Sequence, residues 1–414
     1  MRFAVLADAH IGRSIPIAIA DHRREAFSAA FTQAVDTMIE MGVDYAFICG
    51  DLFERRTLRP HLVQFAHDEL YRLARETEER HRKRVKILVI RGNHDGRPQS
   101  DTLDYIKHPL AGYLHIFEED DLVYSDDRLY VVGLNYYDQI DRAFEAKARP
   151  AFNDARGTRV FMLHGFIAGY NDVPPYNSSL TFDQLVEVFP DFVFTGHYHR
   201  RCSPQKLPNG GWIITPGSLE MYDFGEQEEK GFYVVDTGEG DPKFTWVAIE
   251  PKHVMKQVTV DPRIRRSPAW FSKRIEENVR SFSKDLRTVG KPGYLRIRLR
   301  GGLSEGFPSE INLIIVDEIV ESEDLLLWVD VDTMNLELPP SMVRPEKEHL
   351  DVAEFFSELG DFADDIRGMH VKVAEILEEE ASLQTGLLTM SRRIPLLEEW
   401  VKLLEVRSFR GEDA

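Results

Sequence analysis

Short apolar runs alternate with amphipathic stretches over the first 250 positions of the chain. Five of the runs are rich in β-branched and aromatic residues and are typical of buried strands. They are residues 3–7, 45–49, 85–90, 160–163 and 191–195. Apolar residues recur at helical spacing over residues 21–41 and 61–81, which predicts two long helices. The alternation of strands and helices predicts an α/β fold.

Further short strands are predicted at residues 122–124, 129–132, 212–215 and 231–235. Parallel and hairpin connections are therefore mixed, and we expect a sheet-on-sheet core with outer helices.

The pattern changes near residue 250. Residues 254–260 predict a strand, and Ser267-Pro268 predicts the start of a helix that runs to about Leu286. Strands are then predicted at residues 294–299, 311–316 and 325–331, which gives a small α+β unit. The segment Leu338-Pro339-Pro340-Ser341 has the composition of a linker. Beyond it, an acidic region carries two apolar helical stripes (355–366 and 394–404).

Composition narrows the class of protein. With 414 residues, 43% of them hydrophobic, the chain is expected to have more than one domain. A net charge of −19 argues against a general nucleic-acid coat but does not exclude DNA as a substrate. Two cysteines cannot form a disulfide framework. Since we find neither a signal segment nor an apolar run of about 20 residues, we expect a soluble intracellular protein without a membrane partner.

Metal-binding side chains follow each of the five buried runs. The segments are Asp8-Ala9-His10, Gly50-Asp51, Gly92-Asn93-His94-Asp95, His164-Gly165 and Gly196-His197-Tyr198-His199. Sites in α/β folds gather at the carboxyl ends of strands. Five such segments in order therefore predict a two-metal centre.

Carboxylate, imidazole and amide form a mixed ligand set that suits Mn, Fe or Zn. Asp8 and His10 are two residues apart in an extended segment, so both can reach one ion. His197 and His199 can do the same or reach different ions. Asp51 is the natural bridge between two cations. His94 need not be a ligand, because it can stabilise the pentacovalent state or protonate a leaving group.

Each residue also has a plainer interpretation. A lone Asp or His after a strand is more often a cap or a surface residue, and Asn93 could hold a tight turn with Gly92. The joint pattern favours the metal centre, because five coincidences in order are improbable.

The motifs resemble those of the calcineurin-like metallophosphoesterases. They are most similar to the Mre-type (meiotic recombination eleven) DNA-repair nucleases of archaea and to the bacterial SbcD relatives. The resemblance also rests on Gly50-Asp51-Leu52-Phe53, Gly196-His197-Tyr198-His199-Arg200, Thr215-Pro216-Gly217-Ser218-Leu219-Glu220 and Tyr222-Asp223-Phe224-Gly225. It implies a four-layer α/β/β/α sandwich, a small α+β capping domain and a helical C-terminal tail. The corresponding ranges are 1–250 (nuclease), 251–338 (DNA-binding cap) and 339–414 (linker and partner-binding helices).

The resemblance further implies a manganese-dependent nuclease with two Mn²⁺ ions per chain. Such an enzyme would be a 3'-5' exonuclease on duplex ends and a single-strand endonuclease in double-strand-break repair. One ion would be held by Asp8, His10, Asp51 and His199, and the other by Asp51, Asn93, His164 and His197. His94 would be the catalytic histidine.

One position departs from the archaeal pattern, which often has a histidine three residues after the bridging aspartate. Here it is Glu54, and a carboxylate near a phosphate substrate is expected to repel it and to lower exonuclease efficiency.

Two groups of arginines are candidates for DNA binding. Arg296, Arg298 and Arg300 alternate along a predicted strand and should share one face. Arg263, Arg265 and Arg266 precede the helix of the same small domain. They can track phosphates without reading sequence; a salt-bridged strand face is the alternative. The basic run at residues 80–84 is expected to be structural, because cations suit a helix end.

The family resemblance also implies partners. The stripes of the acidic tail would bind the coiled-coil base of a Rad-fifty-type ABC ATPase, or instead pack on the chain's own nuclease domain. A homodimer is expected through the helix from His61 or through residues 102–113. A cytoplasmic, nucleoid-associated enzyme acting on double- and single-stranded DNA is the leading hypothesis. The alternatives are a phosphomonoesterase, a cyclic-nucleotide phosphodiesterase, or a DNA-end-binding scaffold with little activity.

Overall fold

The structure is a computed structural model that describes residues 1–57, 59–95, 110, 112–226, 229–238 and 240–340. The chain forms two compact units, Met1–Pro339 and Pro340–Ala414. All described residues except Pro340 belong to the first unit. The predicted tail helices and most of the 102–113 segment lie outside the described residues, and the predicted division at residues 250 and 338 stays a prediction.

The described residues contain the following strands: β1 (Arg2–Leu6), β2 (Tyr45–Cys49), β3 (Lys86–Ile90), β4 (Leu114–Ile116), β5 (Val123–Ser125), β6 (Leu129–Leu134), β7 (Thr158–His164), β8 (Phe166–Ile167), β9 (Ser179–Leu180), β10 (Phe192–Gly196), β11 (Gln205–Lys206), β12 (Trp212–Ile214), β13 (Gly231–Asp236), β14 (Lys243–Ala248), β15 (Val254–Val260), β16 (Gly293–Gly302) and β17 (Leu326–Glu337). The helices are α1 (Ala20–Met41), α2 (Pro60–His81), α3 (Phe182–Glu187), α4 (Pro268–Val289) and α5 (Ile314–Ser322). Short helical turns lie at Ile17–Ile19, Pro308–Glu310 and in the consecutive segments Ile140–Ala143, Phe144–Ala148 and Arg149–Ala151.

Two six-stranded sheets form the centre of the first unit. One has the order β14-β13-β1-β2-β3-β4 and the other β11-β12-β10-β7-β6-β5. Strands β1 to β4 run parallel to one another, as do β12, β10, β7 and β6, whereas the outer strands β13, β14, β5 and β11 pair antiparallel.

Both faces of each sheet are covered, which explains the near-continuous apolar runs. Phe3 and Phe47 of the first sheet pack against Phe194 of the second. The neighbouring residues of β1, Ala4 and Leu6, point the other way and pack with helices α1 and α2. A separate cluster covers the outer face of the second sheet with the helical segments around residues 140–152 and with α3. The predicted α/β/β/α order of layers is confirmed.

The C-terminal part of the first unit is a three-stranded parallel sheet, β15-β16-β17, covered by α4 and α5. Ser267 caps α4 as predicted, because its hydroxyl accepts a hydrogen bond from the backbone N–H of Trp270. The predicted strand at residues 311–316 is wrong. This segment ends in α5, whose Val316 and Ile319 are buried three residues apart. Because β16 and β17 are parallel, they need a crossover connection, and a helix supplies it.

A small buried cluster joins this C-terminal sheet and its helices, called the cap below, to the sandwich. Ile19 and Phe224 pack there with Met255 and Tyr294 of the cap strands. The fully buried Arg23 of α1 donates hydrogen bonds to two backbone carbonyls of the sandwich and to the hydroxyl of Tyr294. Among the described residues, the structure has no helix of the length and apolarity required to cross a membrane.

Candidate metal centre

The five predicted segments lie where the sequence placed them, at the carboxyl ends of the parallel strands β1, β2, β3, β7 and β10. The first two are tied together by backbone hydrogen bonds. The N–H of Asp8 donates to Gly50 O at 3.1 Å, and the N–H of His10 donates to Asp51 O at 2.9 Å. Asp8, His10 and Asp51 from the first sheet lie near His164, His197 and His199 from the second. Side chains from both sheets therefore converge on one edge of the sandwich.

Backbone conformation aims several of these side chains inward. Asp8, His10, Asp51 and His197 have φ values of 52°, 43°, 51° and 82°. Residues with a Cβ rarely adopt this left-handed region, which costs about 1–2 kcal/mol for each of them. Four such residues in one site form a concentration of backbone strain that the surrounding structure must hold in place.

Two triads of imidazole and carboxylate groups form the centre. Asp8, His10 and His199 have one ligand atom each within 4.8 Å of one another, and so do Asp51, His164 and His197. The two Nε2 atoms of His10 and His199 are 3.2 Å apart.

Asp51 belongs to the second triad and also faces the first, as expected of a bridging ligand. Its Oδ2 is 3.3 Å from His164 Nε2 and 3.9 Å from His10 Nε2. Asn93 completes the set, with its Oδ1 3.2 Å from His164 Nε2. The structure thus brings together all seven predicted ligands, and their coordination of metal stays a prediction.

The outer nitrogens of three imidazoles have oxygen partners. His164 Nδ1 lies 2.8 Å from Cys49 O, and His199 Nδ1 lies 3.0 Å from Glu226 Oε1. His10 Nδ1 is 3.2 Å from Glu54 Oε2, within ion-pair distance but without the alignment of a hydrogen bond. Partners of this kind fix the tautomer and the ring orientation of metal-binding histidines. Each of the three therefore directs Nε2 towards the centre.

The charges of the centre suit divalent cations. Burial by itself would raise the pKa of Asp51, but the neighbouring His164 holds it well below its usual range. Burial by itself would lower the pKa of His164, but the Asp51 carboxylate raises it to about 9. The pKa of His197 is lowered to about 3 by burial and by His164. Ionised buried carboxylates with inward-facing imidazole nitrogens fit a pair of borderline or hard divalent ions.

His94 lies at the more open side of the centre, with 29% of its side chain exposed. Its N–H donates to Asp51 Oδ1 at 2.8 Å, and its Nδ1 donates to Glu54 O at 2.7 Å. With Nδ1 protonated in that bond, the neutral ring has its lone pair on Nε2. His94 also forms a group with His10 and Asp51 within 4.8 Å, so it lies next to both triads.

Glu54 does not have the place that the sequence suggested. Its side chain is buried and forms an ion pair of 2.7 Å with the equally buried Arg13. The guanidinium of Arg13 in turn lies 3.2 Å from the ring centroid of Tyr222. Because Arg13 neutralises the carboxylate and the carboxylate faces His10, the expected repulsion of phosphate does not follow from this geometry.

Sequence reasoning missed the residues that support the ligands. Besides Glu54, they are Glu226, which pairs with Lys230 at 2.8 Å, and Asp95, which accepts backbone N–H bonds from Gly92 and Phe53 at 2.8 and 2.9 Å. Asp95 had a visible signal, because it follows two other site residues. Glu226 had no local signal, since its role depends on a loop distant in sequence.

The candidate DNA-binding arginines lie on the cap. In β16 the apolar residues are buried and Arg296, Arg298 and Arg300 lie on the other face, as the spacing predicts. Arg296 pairs with Asp330 at 2.6 Å and Arg298 with Asp332 at 3.7 Å, whereas Arg300 is exposed.

The three remaining arginines precede α4. Arg263 is exposed, and Arg265 pairs with Glu337 at 2.9 Å. Arg266 lies 5.2 Å from the ring centroid of Trp270. The alternative of a salt-bridged surface therefore holds in part for both groups.

Comparison with known proteins gives the same family as the motifs. The model of the family described as the calcineurin-like phosphoesterase superfamily domain matches residues 1–240. The chain is 25% identical over 292 residues to the uncharacterized metallophosphoesterase YhaO of Bacillus subtilis, which covers 68% of this chain and 66% of that protein. It is 24% identical over 251 residues to the DNA double-strand break repair protein Mre11 of Methanococcus maripaludis, covering 57% of this chain and 63% of that protein. It is 30% identical over 246 residues to the DNA double-strand break repair protein Mre11 of Archaeoglobus fulgidus. This match covers 55% of this chain and 52% of that protein.

The chain therefore spans about half to two thirds of the length of these curated relatives. The family match itself covers more than half of the chain. The chain belongs to the calcineurin-like phosphoesterase superfamily.

Proposed function

We propose that this protein is a manganese-dependent DNA nuclease that acts on duplex ends and on single strands. The observation that carries the proposal is the pair of ligand triads, one of which contains buried Asp51 facing His10 of the other, with His94 beside them at the open side. Two archaeal relatives are DNA double-strand break repair proteins, which supports DNA rather than a small phosphoester as the substrate.

Two divalent ions bound by these residues would polarise a phosphate oxygen and supply a water of lowered pKa. Asp51 faces a histidine of each triad, so its carboxylate could bind both ions and fix the distance between them. His94 keeps Nδ1 bonded to Glu54 O, so that Nε2 faces the substrate; in the doubly protonated imidazolium form, Nε2–H can donate to the leaving oxygen and protonate it. Glu54 and Glu226 orient His10 and His199 and do not touch the substrate.

The arginines of the cap favour a polyanionic substrate. Arg296 lies 4.5 Å from the ring centroid of Phe224 and 4.0 Å from Asp223, in the loop between Tyr222 and Glu226. The arginine row of β16 therefore starts beside the loop whose Glu226 contacts His199, and it ends at exposed Arg300. A duplex held along this row would have its phosphates directed towards the ligand loops.

The assembly is also part of the proposal. A Rad-fifty-type ABC ATPase would bind the helical stripes of the tail, and the nuclease would form a homodimer. Both rest on the resemblance of the motifs.

The test is a cleavage assay on blunt duplex and single-stranded DNA with Mn²⁺, Mg²⁺ or chelator. We expect Mn²⁺-dependent cleavage of both DNA forms. Hydrolysis of p-nitrophenyl phosphate without cleavage of DNA would favour a phosphomonoesterase, and DNA-end binding without any hydrolysis would favour a scaffold.

His94→Asn separates catalysis from metal binding. Because His94 lies outside both triads, the variant should bind Mn²⁺ as tightly as the wild type but lose about 10²–10⁴-fold in turnover. Glu40→Gln is the control, since Glu40 is an exposed residue of α1 outside the ligand groups. Intact turnover in His94→Asn contradicts the assigned role.

A further inference from the structure

A second group of metal-binding side chains lies at the junction between the sandwich and the cap. It comprises His22 and Glu25 of α1 and His253, which directly precedes β15. One ligand atom from each lies within 4.8 Å of the others. His22 and Glu25 are three residues apart on a helix, so both side chains project from the same face.

The buried member of the group has an unsatisfied nitrogen. His253 is 4% exposed, and its Nδ1 has no hydrogen-bond partner among the described residues. Burial and the neighbouring His22 lower the pKa of His253 to about 4, so its ring is neutral at pH 7. A buried imidazole nitrogen without a partner is costly, and a cation beside it would remove that cost.

We propose that His22, Glu25 and His253 bind a first-row transition-metal ion, best matched by Zn²⁺. Two imidazoles and one carboxylate, with a fourth position left to water, form a ligand set that zinc readily accepts. This site is separate from the two triads, and the proposal does not rest on the nuclease function.

Lys252 is the competitor for this site. Its ammonium forms an ion pair with the Glu25 carboxylate, and this bond lowers the pKa of Glu25. The pair is about half exposed, with side-chain exposures of 39% and 54%. An exposed ion pair is weak, so a divalent ion can displace Lys252 and take the carboxylate.

The position gives the site a structural consequence. The rings of His253 and Tyr294 are 5.7 Å apart, and Tyr294 belongs to the buried cluster that joins cap and sandwich. A bound ion would cross-link α1 to the first strand of the cap. Zinc binding should therefore hold the cap more firmly on the sandwich.

The test counts zinc in the full-length protein after chelator treatment, loading with Zn²⁺ and desalting. Wild type should hold one zinc ion more per chain than Glu25→Ala or His22→Ala, and Glu40→Ala, at an exposed position of the same helix, should equal wild type. These two positions are preferred because replacement of buried His253 could also impair folding. Zinc bound at the two triads is the same in all four proteins and drops out of the comparison.

Two further measurements sharpen the result. Lys252→Met should bind the additional zinc up to about fivefold more tightly, because it removes the competing ion pair. Zinc should raise the thermal midpoint more in wild type than in Glu25→Ala. An equal zinc count in folded wild type, Glu25→Ala and His22→Ala overturns the proposal, and so does weaker binding by Lys252→Met.

Discussion

Glu54→Gln distinguishes two possible roles of the Glu54 carboxylate: orienting the predicted metal ligand His10, or repelling the phosphate of the substrate. Glutamine has the same shape, but it removes the charge that neutralises Arg13 and faces His10 at 3.2 Å. If Glu54 orients His10, the affinity for Mn²⁺ should fall about 10–100-fold, as is typical when the outer partner of a metal ligand is lost. If the carboxylate instead repels phosphate, the same substitution should increase cleavage.

The cost to stability follows from the burial of the pair. Removing one partner of a buried ion pair typically costs about 3–5 kcal/mol. Arg13 keeps its bond to Tyr222 O at 3.0 Å and its stacking on the Tyr222 ring, and glutamine can still accept one hydrogen bond. We therefore expect a loss of about 2–3 kcal/mol in the free energy of unfolding.

The loss should depend on pH. Burial would raise the pKa of Glu54, but the bond to His10 and the charge of Arg13 hold it below its usual value of 4.5. A lowered pKa in the folded state means that the stabilisation is complete above about pH 4.5 and is lost as the pH falls further. The difference between wild type and Glu54→Gln should shrink in that acidic range.

Urea unfolding in chelator and calorimetric titration with Mn²⁺ measure the two effects. Glu79→Gln is the matched control, because Glu79 is 65% exposed and pairs with Arg75 at 3.5 Å. It should change stability by less than about 1 kcal/mol. Unchanged Mn²⁺ affinity with faster cleavage in Glu54→Gln would refute the orienting role.

Three further predictions concern the loops, the cap and the tail. A Cβ on Gly92 would lie 2.0 Å from Asp51 Oδ1, so Gly92→Ala should lower the free energy of unfolding by about 1–3 kcal/mol and weaken Mn²⁺ binding in calorimetry. Gly225→Ala is the control, because a Cβ there meets open space and should change neither quantity. Arg300→Gln should lower the slope of DNA affinity against salt by about 1 and leave hydrolysis of p-nitrophenyl phosphate unchanged; an unchanged slope contradicts phosphate contact. Deletion of residues 346–414 should abolish co-purification with the ATPase and spare Mn²⁺-dependent cleavage of single-stranded DNA, and retained co-purification would count against the tail.

The strand ends of the centre were predictable because two simple rules act together. Buried parallel strands produce continuous apolar runs, and the residues that follow them meet at one edge. The layers of the sandwich follow from the same runs. Asp51 could be chosen as the predicted bridging residue from its chemistry alone, and in the structure its Oδ2 faces histidines of both triads.

Other features depend on the register of distant segments. The pairing of β16 with β17 puts Arg296 opposite Asp330 and Arg298 opposite Asp332, and no local pattern reveals which acidic residue faces which arginine. The run at residues 311–316 is rich in β-branched residues, which favour strands, but the crossover between parallel strands required a helix. The group at the junction unites helix α1 with the start of the cap, so spacing along the chain gives no sign of it.

The left-handed backbone at Asp8, Asp51 and His197 has a consequence for the evolution of this chain. These conformations direct the predicted ligands towards one another, and they lower the free energy of unfolding of the metal-free protein. A substitution that relieves one of them, such as glycine at position 197, would remove a predicted ligand and should make the metal-free fold more robust. Loss of catalysis is thus an energetically downhill change for this chain, so continued selection for hydrolysis is needed to keep the centre intact.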